Sequence, residues 1–306
     1  MRVVVVGGNG QLGTDVVRAF ADNGDDVLPL THADIEIGDG EAVANKLHEL
    51  QPDMVVNTAA MHHVENCELQ PDRAFTVNAL GARNLARAAR DIGAVLTHIS
   101  TDYIFDGCKS SPYEEEDPPR PLSVYGNTKL AGEYFVRSTL DRHFVLRTSA
   151  IYGKSPCRAK SGLNFIELML QLAKERGEVR VVDSEFITPT ATSDLARQIV
   201  ALGRCESYGL YHATAEGACS WFEFAREIFA LTDTKVNLKV AGPNEFPAKV
   251  RRPRYAVLEN RGLKLLGLNT FRPWQEGLHD YLGIPHLNTR YHQRLERNEN
   301  VGDLPD

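Results

Sequence analysis

The chain has 306 residues, of which 42% are hydrophobic and 25% charged; these proportions are ordinary for a globular protein and exclude a disordered chain. Its formal net charge is −7 and its basic residues cluster only in the stretch KVRRPR, so we expect no nucleic-acid partner. No apolar run approaches the ~18 residues of a membrane span and no signal-peptide pattern opens the chain, so we expect a cytoplasmic protein without membrane contact. The five cysteines form no Cys-x-x-Cys pair, which predicts reduced thiols and no metal site.

The first half of the chain alternates strand and helix patterns. Short β-branched runs predict strands at 2–8, 25–30, 53–60, 94–100 and 143–153. Amphipathic spacing predicts helices between them at 12–24, 39–52, 71–93 and 125–138. Buried strands that alternate with helices form βαβ units, so the predicted fold class is α/β with a Rossmann-type, doubly wound parallel sheet.

The second half of the chain is less regular. It predicts a strand at 178–184 and helices at 164–177, 192–203 and 220–232. We therefore predict a first domain over 1–150, to which strands and helices from about 178–212 return. A smaller C-terminal α/β lobe comprises about 151–177 and 213–285, and the polar segment 286–306 is predicted to be a peripheral tail.

A glycine-rich turn joins the first predicted strand to the first helix. Gly7, Gly10 and Gly13 have the spacing G-x-x-G-x-x-G. The first glycine permits a turn that a Cβ would obstruct, the second lets the backbone approach a pyrophosphate, and the third lets the helix lie close to the sheet. The helix N-terminus then presents N–H groups to phosphate. The pattern predicts an NAD(P)-binding domain over 1–150, with Gln11 and Leu12 also at the cofactor.

The end of the second strand bears on which dinucleotide binds. An acid at this point would bind a ribose 2′-hydroxyl and repel a 2′-phosphate. Thr31 and His32 stand there instead, so we predict NADPH as cofactor, with NADH possible. Glu36 and Ile37 follow closely and are predicted to contact the adenine.

A tyrosine and a lysine stand four residues apart in the predicted helix 125–138. Tyr125 and Lys129 therefore share one helix face. A nearby ammonium lowers the pKa of a tyrosine from its usual value of ~10, and such a tyrosine exchanges a proton with an alcohol or ketone. The strand 94–100 ends beside this helix, where Thr101 adds a hydroxyl aimed at the same carbonyl oxygen. We predict that Thr101, Tyr125 and Lys129 are catalytic, with Tyr125 and Lys129 also contacting the nicotinamide cofactor.

Several motifs together resemble the extended short-chain dehydrogenase/reductases. They are the glycine loop, NTAA at 57–60, the stretch VNALGARNLA, STDYIFDG and the Tyr-x-x-x-Lys pair. GGNGQLG, STDYIFDG and FITPTATSDLA resemble more narrowly the dTDP-4-dehydrorhamnose reductase family, over about residues 1–285. The resemblance implies a Rossmann fold, a nicotinamide cofactor and a nucleotide-diphosphate sugar substrate. It also implies that the cofactor is lined by Asn57, Ala59, Ala60 and Asn78, and the substrate by Asp102 and Tyr103.

The chain departs from this family on the sugar side. Where the family commonly has Trp after the fifth strand, this chain has Ala150, which we keep as a predicted substrate contact. The later family motif has Ala256 in place of Ser, whereas Arg252 remains and has the donor fork that pairs with a diphosphate. An exposed loop arginine without a ligand is an equally good interpretation of Arg252. Some relatives bind Mg²⁺ through glutamates; Asp15 stands at the first such position, and we predict no metal.

Three functions are compatible with these patterns. The first is an NAD(P)H-dependent reductase that delivers hydride to C4 of a 4-keto deoxysugar nucleotide, with Tyr125 as the proton donor. The second is a nucleotide-sugar epimerase or dehydratase; dehydratases of this superfamily usually have Thr-Asp-Glu, and Tyr103 in place of that Glu argues against elimination. The third is a non-catalytic subunit that resembles the regulatory β-subunit of methionine adenosyltransferase. A homodimer is possible in each case.

Overall fold

The computed structural model describes residues 1–156, 162–242, 245 and 249–284. The predicted tail at 286–306 lies outside these residues. Within the described part of the chain, no helix is long and apolar enough to cross a membrane.

Twelve strands are present in the described residues. In chain order they are β1 (Arg2–Val6), β2 (Asp26–Leu30), β3 (Met54–Asn57), β4 (Val95–Thr101), β5 (His143–Thr148), β6 (Ile151–Tyr152), β7 (Glu178–Val181), β8 (Phe186–Ile187), β9 (Thr190–Ala191), β10 (Gly209–His212), β11 (Cys219–Ser220) and β12 (Asn237–Val240). Six of them form one parallel sheet in the order β10-β5-β4-β3-β1-β2. This sheet confirms the predicted α/β class.

Eleven α-helices are present in the same residues. They are α1 (Gln11–Asp22), α2 (Gly40–Leu50), α3 (Val64–Leu69), α4 (Pro71–Phe75), α5 (Gly81–Asp91), α6 (Val124–Thr139), α7 (Phe165–Glu175), α8 (Thr192–Leu202), α9 (Trp221–Leu231), α10 (Arg261–Leu265) and α11 (Trp274–Leu282). The helix predicted at 71–93 is interrupted by a π-helical turn at Thr76–Leu80, so that α4 and α5 are separate. The sequence analysis did not predict the helices α3, α10 and α11.

Helices cover both faces of the main sheet, which explains why β1 is almost wholly apolar. Val3 and Val5 point into a core that includes residues of α1 and α8, and Val4 and Val6 point into a second core with residues of α2 and α5. Successive residues of a strand face opposite sides, so a strand between two helix layers needs apolar side chains at every position.

The order of the strands places a crevice above the centre of the sheet. The chain passes from β1 to β2 on one side and then to β3 on the other side of β1. Ligands of such sheets bind at the carboxyl ends of the strands where the order reverses. The residues that follow β1, β3 and β4 therefore face one crevice.

The second half packs into a smaller lobe beside this sheet. Its apolar core includes Tyr152, Ile166, Val179, Phe224 and Trp274. The N-termini of α7 and α9 both carry capping boxes, in which a side chain and a backbone N–H are satisfied reciprocally.

Two strand expectations differ from the structure. The strand predicted to return to the main sheet at 178–184 contains β7, which pairs with β12 in a separate two-stranded sheet because both carry apolar residues into the lobe core. The segment predicted as one strand at 143–153 divides into β5 and β6, because Ala150 turns the chain with a φ of 43°. The helix α8 and the strand β10 do join the first domain, and the domain boundaries as a whole stay a prediction.

Candidate active site

The glycine loop at the end of β1 is packed too closely for side chains. Gly7 has a φ of 80°, and a Cβ there would lie 2.8 Å from Thr58 Oγ1 and 2.9 Å from the Ala59 nitrogen. A Cβ on Gly13 would lie 2.1 Å from the Gly7 carbonyl oxygen, which is shorter than any van der Waals contact. The first glycine therefore lets the turn lie against the loop after β3, and the third lets α1 lie close to the end of β1.

The same loop leaves backbone donors at the start of α1. Gly10 is the N-cap residue and makes no side-chain cap, so the first N–H groups of the helix keep the donor capacity that suits a phosphate. The side chain of Gln11 is turned elsewhere, since its Nε2 donates to the carbonyl oxygens of Gly153 and Ser155. Leu12 is buried in the core below. A dinucleotide therefore fits this loop through main-chain groups.

We expect Gly13→Ala to weaken NADPH binding by at least about tenfold, because the added methyl must push α1 away from the Gly7 carbonyl. Fluorescence titration with NADPH measures the affinity. Gly177→Ala is the matched control, because a Cβ on Gly177 meets no atom within 4 Å. Wild-type affinity in the Gly13 variant would contradict this account of the loop.

The end of β2 carries an acid that the sequence analysis did not identify. Thr31 donates from its nitrogen and its Oγ1 to the carboxylate of Asp34, at 2.8 and 2.7 Å. These hydrogen bonds lower the pKa of Asp34 below its usual value. His32 Nδ1 lies 3.2 Å from Glu36 Oε2 on the exposed surface, and Ile37 is buried against α5. The sequence signal for this turn was an aspartate three positions after a threonine, a spacing at which the carboxylate accepts hydrogen bonds from the threonine.

The residues predicted to line the cofactor after β3 are linked to one another. Asn57 is buried; its Oδ1 accepts from the Ala59 nitrogen at 3.1 Å, and its Nδ2 lies 3.0 Å from His98 Nδ1. Ala59 and Ala60 are half-buried at the crevice wall. These contacts fix the backbone after β3 relative to His98 of β4.

Asn78 lies behind this wall in the π-helical turn. Its side chain accepts from the Met61 nitrogen at 2.8 Å and donates to the Met61 carbonyl and to Thr128 Oγ1. All its hydrogen-bonding atoms thus bind protein groups. Asn78 therefore links the loop after β3 to α6 by hydrogen bonds.

The three predicted catalytic residues lie at the carboxyl end of β4, where Tyr125 contacts Thr101 and Lys129 binds the Ile99 carbonyl. Ser123 caps α6 by accepting from the Gly126 nitrogen, and Glu68 accepts from the Val124 nitrogen at 2.8 Å, so the first turn of α6 is fixed. This turn brings the Tyr125 phenol into hydrogen-bonding contact with Thr101. The ring of Tyr103 packs edge-on against the Tyr125 ring with centroids 5.8 Å apart.

Lys129 lies one turn further along α6 and is buried. Its Nζ donates to the Ile99 carbonyl oxygen at 2.6 Å and lies 3.4 Å from His98 Nε2. Burial lowers the pKa of Lys129 to about 8, and the charge of Glu133 opposes this shift. At neutral pH the lysine therefore remains mainly protonated in spite of its burial.

The expectation that Lys129 lowers the pKa of Tyr125 is not met in this structure. The pKa of Tyr125 is raised, first by burial, and further by the charges of Asp102 and Tyr103, while the hydrogen bond with Thr101 lowers it. The physical reason is that the Lys129 ammonium is directed to the Ile99 carbonyl. The phenol of Tyr125 is consequently protonated at neutral pH, which is the state of a proton donor.

Asp102 is buried directly beneath this group. Its carboxylate accepts from Thr101 Oγ1 at 2.9 Å and from Ser149 Oγ at 2.7 Å. Burial raises the pKa of Asp102 to about 6, although both hydrogen bonds act in the opposite direction. The structure therefore gives Asp102 contacts to Thr101 and to Ser149, which directly follows β5.

Asp102 gives a pH-dependent stability with a defined sign. Because its pKa rises from 3.8 to about 6 on folding, the folded chain binds the proton more tightly than the unfolded chain. The resulting stabilisation is full below pH 3.8 and is lost as the pH rises through 6. We expect wild type to lose up to about 3 kcal/mol relative to Asp102→Asn across this interval. Urea unfolding of both proteins at several pH values measures it, and a constant difference would refute it.

The side of the crevice that is predicted to bind the substrate combines charges from three parts of the chain. Arg252 Nη2 donates to Glu65 Oε1 at 2.6 Å, and the positive charge of Arg252 acts on the phenol of Tyr103. The negative charge of Glu185 acts on both the phenol of Tyr103 and the guanidinium of Arg252. Ala150 is half-buried and holds a left-handed backbone conformation, in which a residue with a Cβ is strained.

Four functional candidates escaped the sequence analysis. Beside His98, they are Ser100, Glu133 and Arg147, which form a buried polar network below Lys129. The sequence signal for Glu133 was its place as the third residue of the series Tyr125, Lys129 and Glu133, which repeats every four residues on one face of α6.

A glycine loop, a parallel sheet with a central crevice, and a Thr-Tyr-Lys group at the end of β4 define the extended short-chain dehydrogenase/reductase class. The chain belongs to the family described as the RmlD substrate binding domain, whose model matches residues 1–285.

Individual relatives agree with this assignment. The spore coat polysaccharide biosynthesis protein SpsK of Bacillus subtilis (strain 168) is 38% identical over 281 residues, which cover 92% of this chain and 96% of that protein. The crystal structure of a dTDP-4-dehydrorhamnose reductase from Clostridium acetobutylicum has a TM-score of 0.88 at 39% identity, covering 92% of this chain and 99% of that chain. The corresponding reductase of Bacillus anthracis, in complex with NADP, has a TM-score of 0.87 at 37% identity, covering 92% and 98%.

Proposed function

We propose that this chain is an NAD(P)H-dependent reductase of a 4-keto deoxysugar nucleotide. The observation that carries the proposal is the placement of Thr101, Tyr125 and Lys129 at the carboxyl end of β4, where Tyr125 contacts Thr101 and Lys129 binds the Ile99 carbonyl. The relatives named dTDP-4-dehydrorhamnose reductase, one of them solved with NADP, support the same reaction and cofactor. NADPH is the proposed cofactor, and NADH is an alternative.

The cofactor has a defined place in this arrangement. The first turn of α1 would hold its pyrophosphate, and the residues after β2 and β3 would hold its adenosine and nicotinamide halves, including Thr31, His32, Glu36, Ile37, Asn57, Ala59 and Ala60. When bound, the nicotinamide supplies the hydride for C4 of the sugar. Asn78 then acts by holding the wall behind the cofactor.

Side chains of this protein donate the proton that the reduction requires. The protonated phenol of Tyr125 donates to the oxygen at C4 as negative charge develops there. Thr101 orients the phenol by a hydrogen bond, while its own proton is donated to the Asp102 carboxylate. The Lys129 ammonium, held at the Ile99 carbonyl, adds positive charge to the same buried site. Burial of the group excludes water, so each of these interactions is stronger than in bulk solvent.

The sugar nucleotide lies on the other side of the crevice in this proposal. Arg252 binds the diphosphate, while Asp102, Tyr103 and Ala150 face the sugar. The departures at Ala150 and Ala256 leave the identity of the sugar and the nucleotide base open. A cytoplasmic location and a homodimer stay predictions.

A panel of 4-keto sugar nucleotides with NADPH tests the function. We expect loss of absorbance by NADPH with at least one 4-keto-6-deoxyhexose nucleotide, and no loss with the corresponding 4-hydroxy sugars. Product analysis should find the 4-hydroxy sugar. Consumption of none of the ketones, by a chain that binds NADPH, would reject the reductase and favour a non-catalytic role.

A further inference from the structure

A buried ion pair lies directly below the proposed catalytic group. Arg147 of β5 donates from Nη2 to Glu133 Oε2 at 2.8 Å and from Nε to both carboxylate oxygens at 3.1 and 3.2 Å. The exposed fraction of Glu133 is 0% and that of Arg147 is 2%. This is the forked geometry in which arginine binds a carboxylate most strongly.

The pair connects α6 with the strands below it. Ser100, which precedes the catalytic threonine in β4, donates to Glu133 Oε1 at 2.5 Å. Arg147 also donates to the Glu115 carbonyl at 3.3 Å, and its guanidinium lies 5.4 Å from the centre of the Phe105 ring. Every contact of Glu133 described here therefore fixes α6 relative to the carboxyl ends of β4 and β5.

Joining a helix to a sheet through two buried charges costs a large hydration free energy. Two ions lose several kcal/mol each of hydration on burial, and well-packed apolar residues of the same volume often stabilise a fold equally well. Packing alone therefore does not explain why a carboxylate occupies position 133. Lys129 lies one helical turn earlier on the same face of α6. A negative charge at position 133 therefore acts on the ammonium of Lys129.

We propose that Glu133, held by Arg147 and Ser100, is a positioning residue that keeps the ammonium of Lys129 charged at the Ile99 carbonyl, near the carboxyl end of β4. This inference rests on the proposed function, in which Lys129 acts as a cation. Glu133 acts through Lys129 and touches neither substrate nor cofactor.

The other groups around Lys129 do not supply this charge. From α6, Tyr125 is a neutral phenol; from β4, His98 is neutral because burial lowers its pKa, and Asp102 is bound by Thr101 and Ser149. Arg147 of β5 is cationic, and Cys67 of α3 is a thiol whose pKa is raised to about 11. Among these groups, Glu133 is the one whose charge raises the pKa of Lys129 against the effect of burial.

The titration of Lys129 tests the proposal without any need for turnover. The full-length chain is labelled with ¹³C at lysine Cε, and the Lys129 signal is assigned by its loss in Lys129→Arg. The test variant is Glu133→Gln/Arg147→Met, which removes both charges and leaves no ion unpaired. Glu133→Asp keeps the charge and serves as the conservative control, and unfolding in urea verifies that each variant is folded.

We expect the Lys129 signal of wild type to titrate near pH 8 and that of the double variant at least about one unit lower, with Glu133→Asp close to wild type. In the 4-keto sugar assay, the alkaline limb of kcat/KM should move by the same amount. An unchanged Lys129 titration in a folded double variant would overturn the proposal. If wild type reduces no ketone while Lys129 titrates as expected, the proposed function fails and the role of Glu133 stands.

Discussion

Tyr125→Phe is expected to lower the rate of ketone reduction by about 100- to 10,000-fold, the range that a positioned acid contributes. The substitution removes the proton that the phenol donates and keeps the aromatic ring that packs edge-on against Tyr103. Because the pyrophosphate fits main-chain groups of the glycine loop, NADPH binding should change little. Single-turnover reduction and fluorescence titration measure the two quantities separately.

Tyr134→Phe is the matched control for this experiment. Tyr134 lies on the same helix α6, but its side chain is exposed and far along the helix from the crevice. The control should reduce the substrate at the wild-type rate. A Tyr125 variant that also kept the full rate would show that another group protonates the sugar oxygen.

Glu133→Gln alone is expected to lower the free energy of unfolding by about 3–5 kcal/mol, because it leaves the buried guanidinium of Arg147 without its counter-charge. The midpoint of urea denaturation measures this change. The double variant Glu133→Gln/Arg147→Met should recover most of the loss, since it removes the unpaired ion as well.

An exposed ion pair provides the comparison. Lys46 and Glu49 of α2 lie 2.8 Å apart on the surface, where water screens the interaction. We therefore expect Glu49→Gln to change the free energy of unfolding by only about 0–1 kcal/mol. Equal effects of the two single substitutions would contradict the view that burial makes the Glu133–Arg147 pair indispensable.

Features that depend only on residues close together in the sequence were predictable. The spacing of Gly7, Gly10 and Gly13 dictates a turn that only small residues permit, and the structure contains that turn. The four-residue interval between Tyr125 and Lys129 dictates a common helix face. Both follow from local geometry, so neither depends on how distant segments pack.

Features created by packing were not predictable in the same way. Arg147 meets Glu133 only because β5 runs beneath α6, and His98 meets Lys129 only because β4 does so. The direction of the Tyr125 pKa shift depends on burial, which the sequence interval between Tyr125 and Lys129 does not encode. The pairing of β7 with β12 likewise depends on which apolar core is nearer, since a short apolar run suits either sheet.

The central claim is that the Thr101–Tyr125–Lys129 group serves hydride transfer to a sugar ketone. NADPH deuterated at the transferable position of nicotinamide C4 tests it most directly, with the product examined by NMR. The account predicts one deuterium at C4 of the sugar in the wild-type product and a marked loss of product with Tyr125→Phe. A reduced sugar without deuterium at C4, or a Tyr125 variant that forms it at the full rate, would contradict the claim.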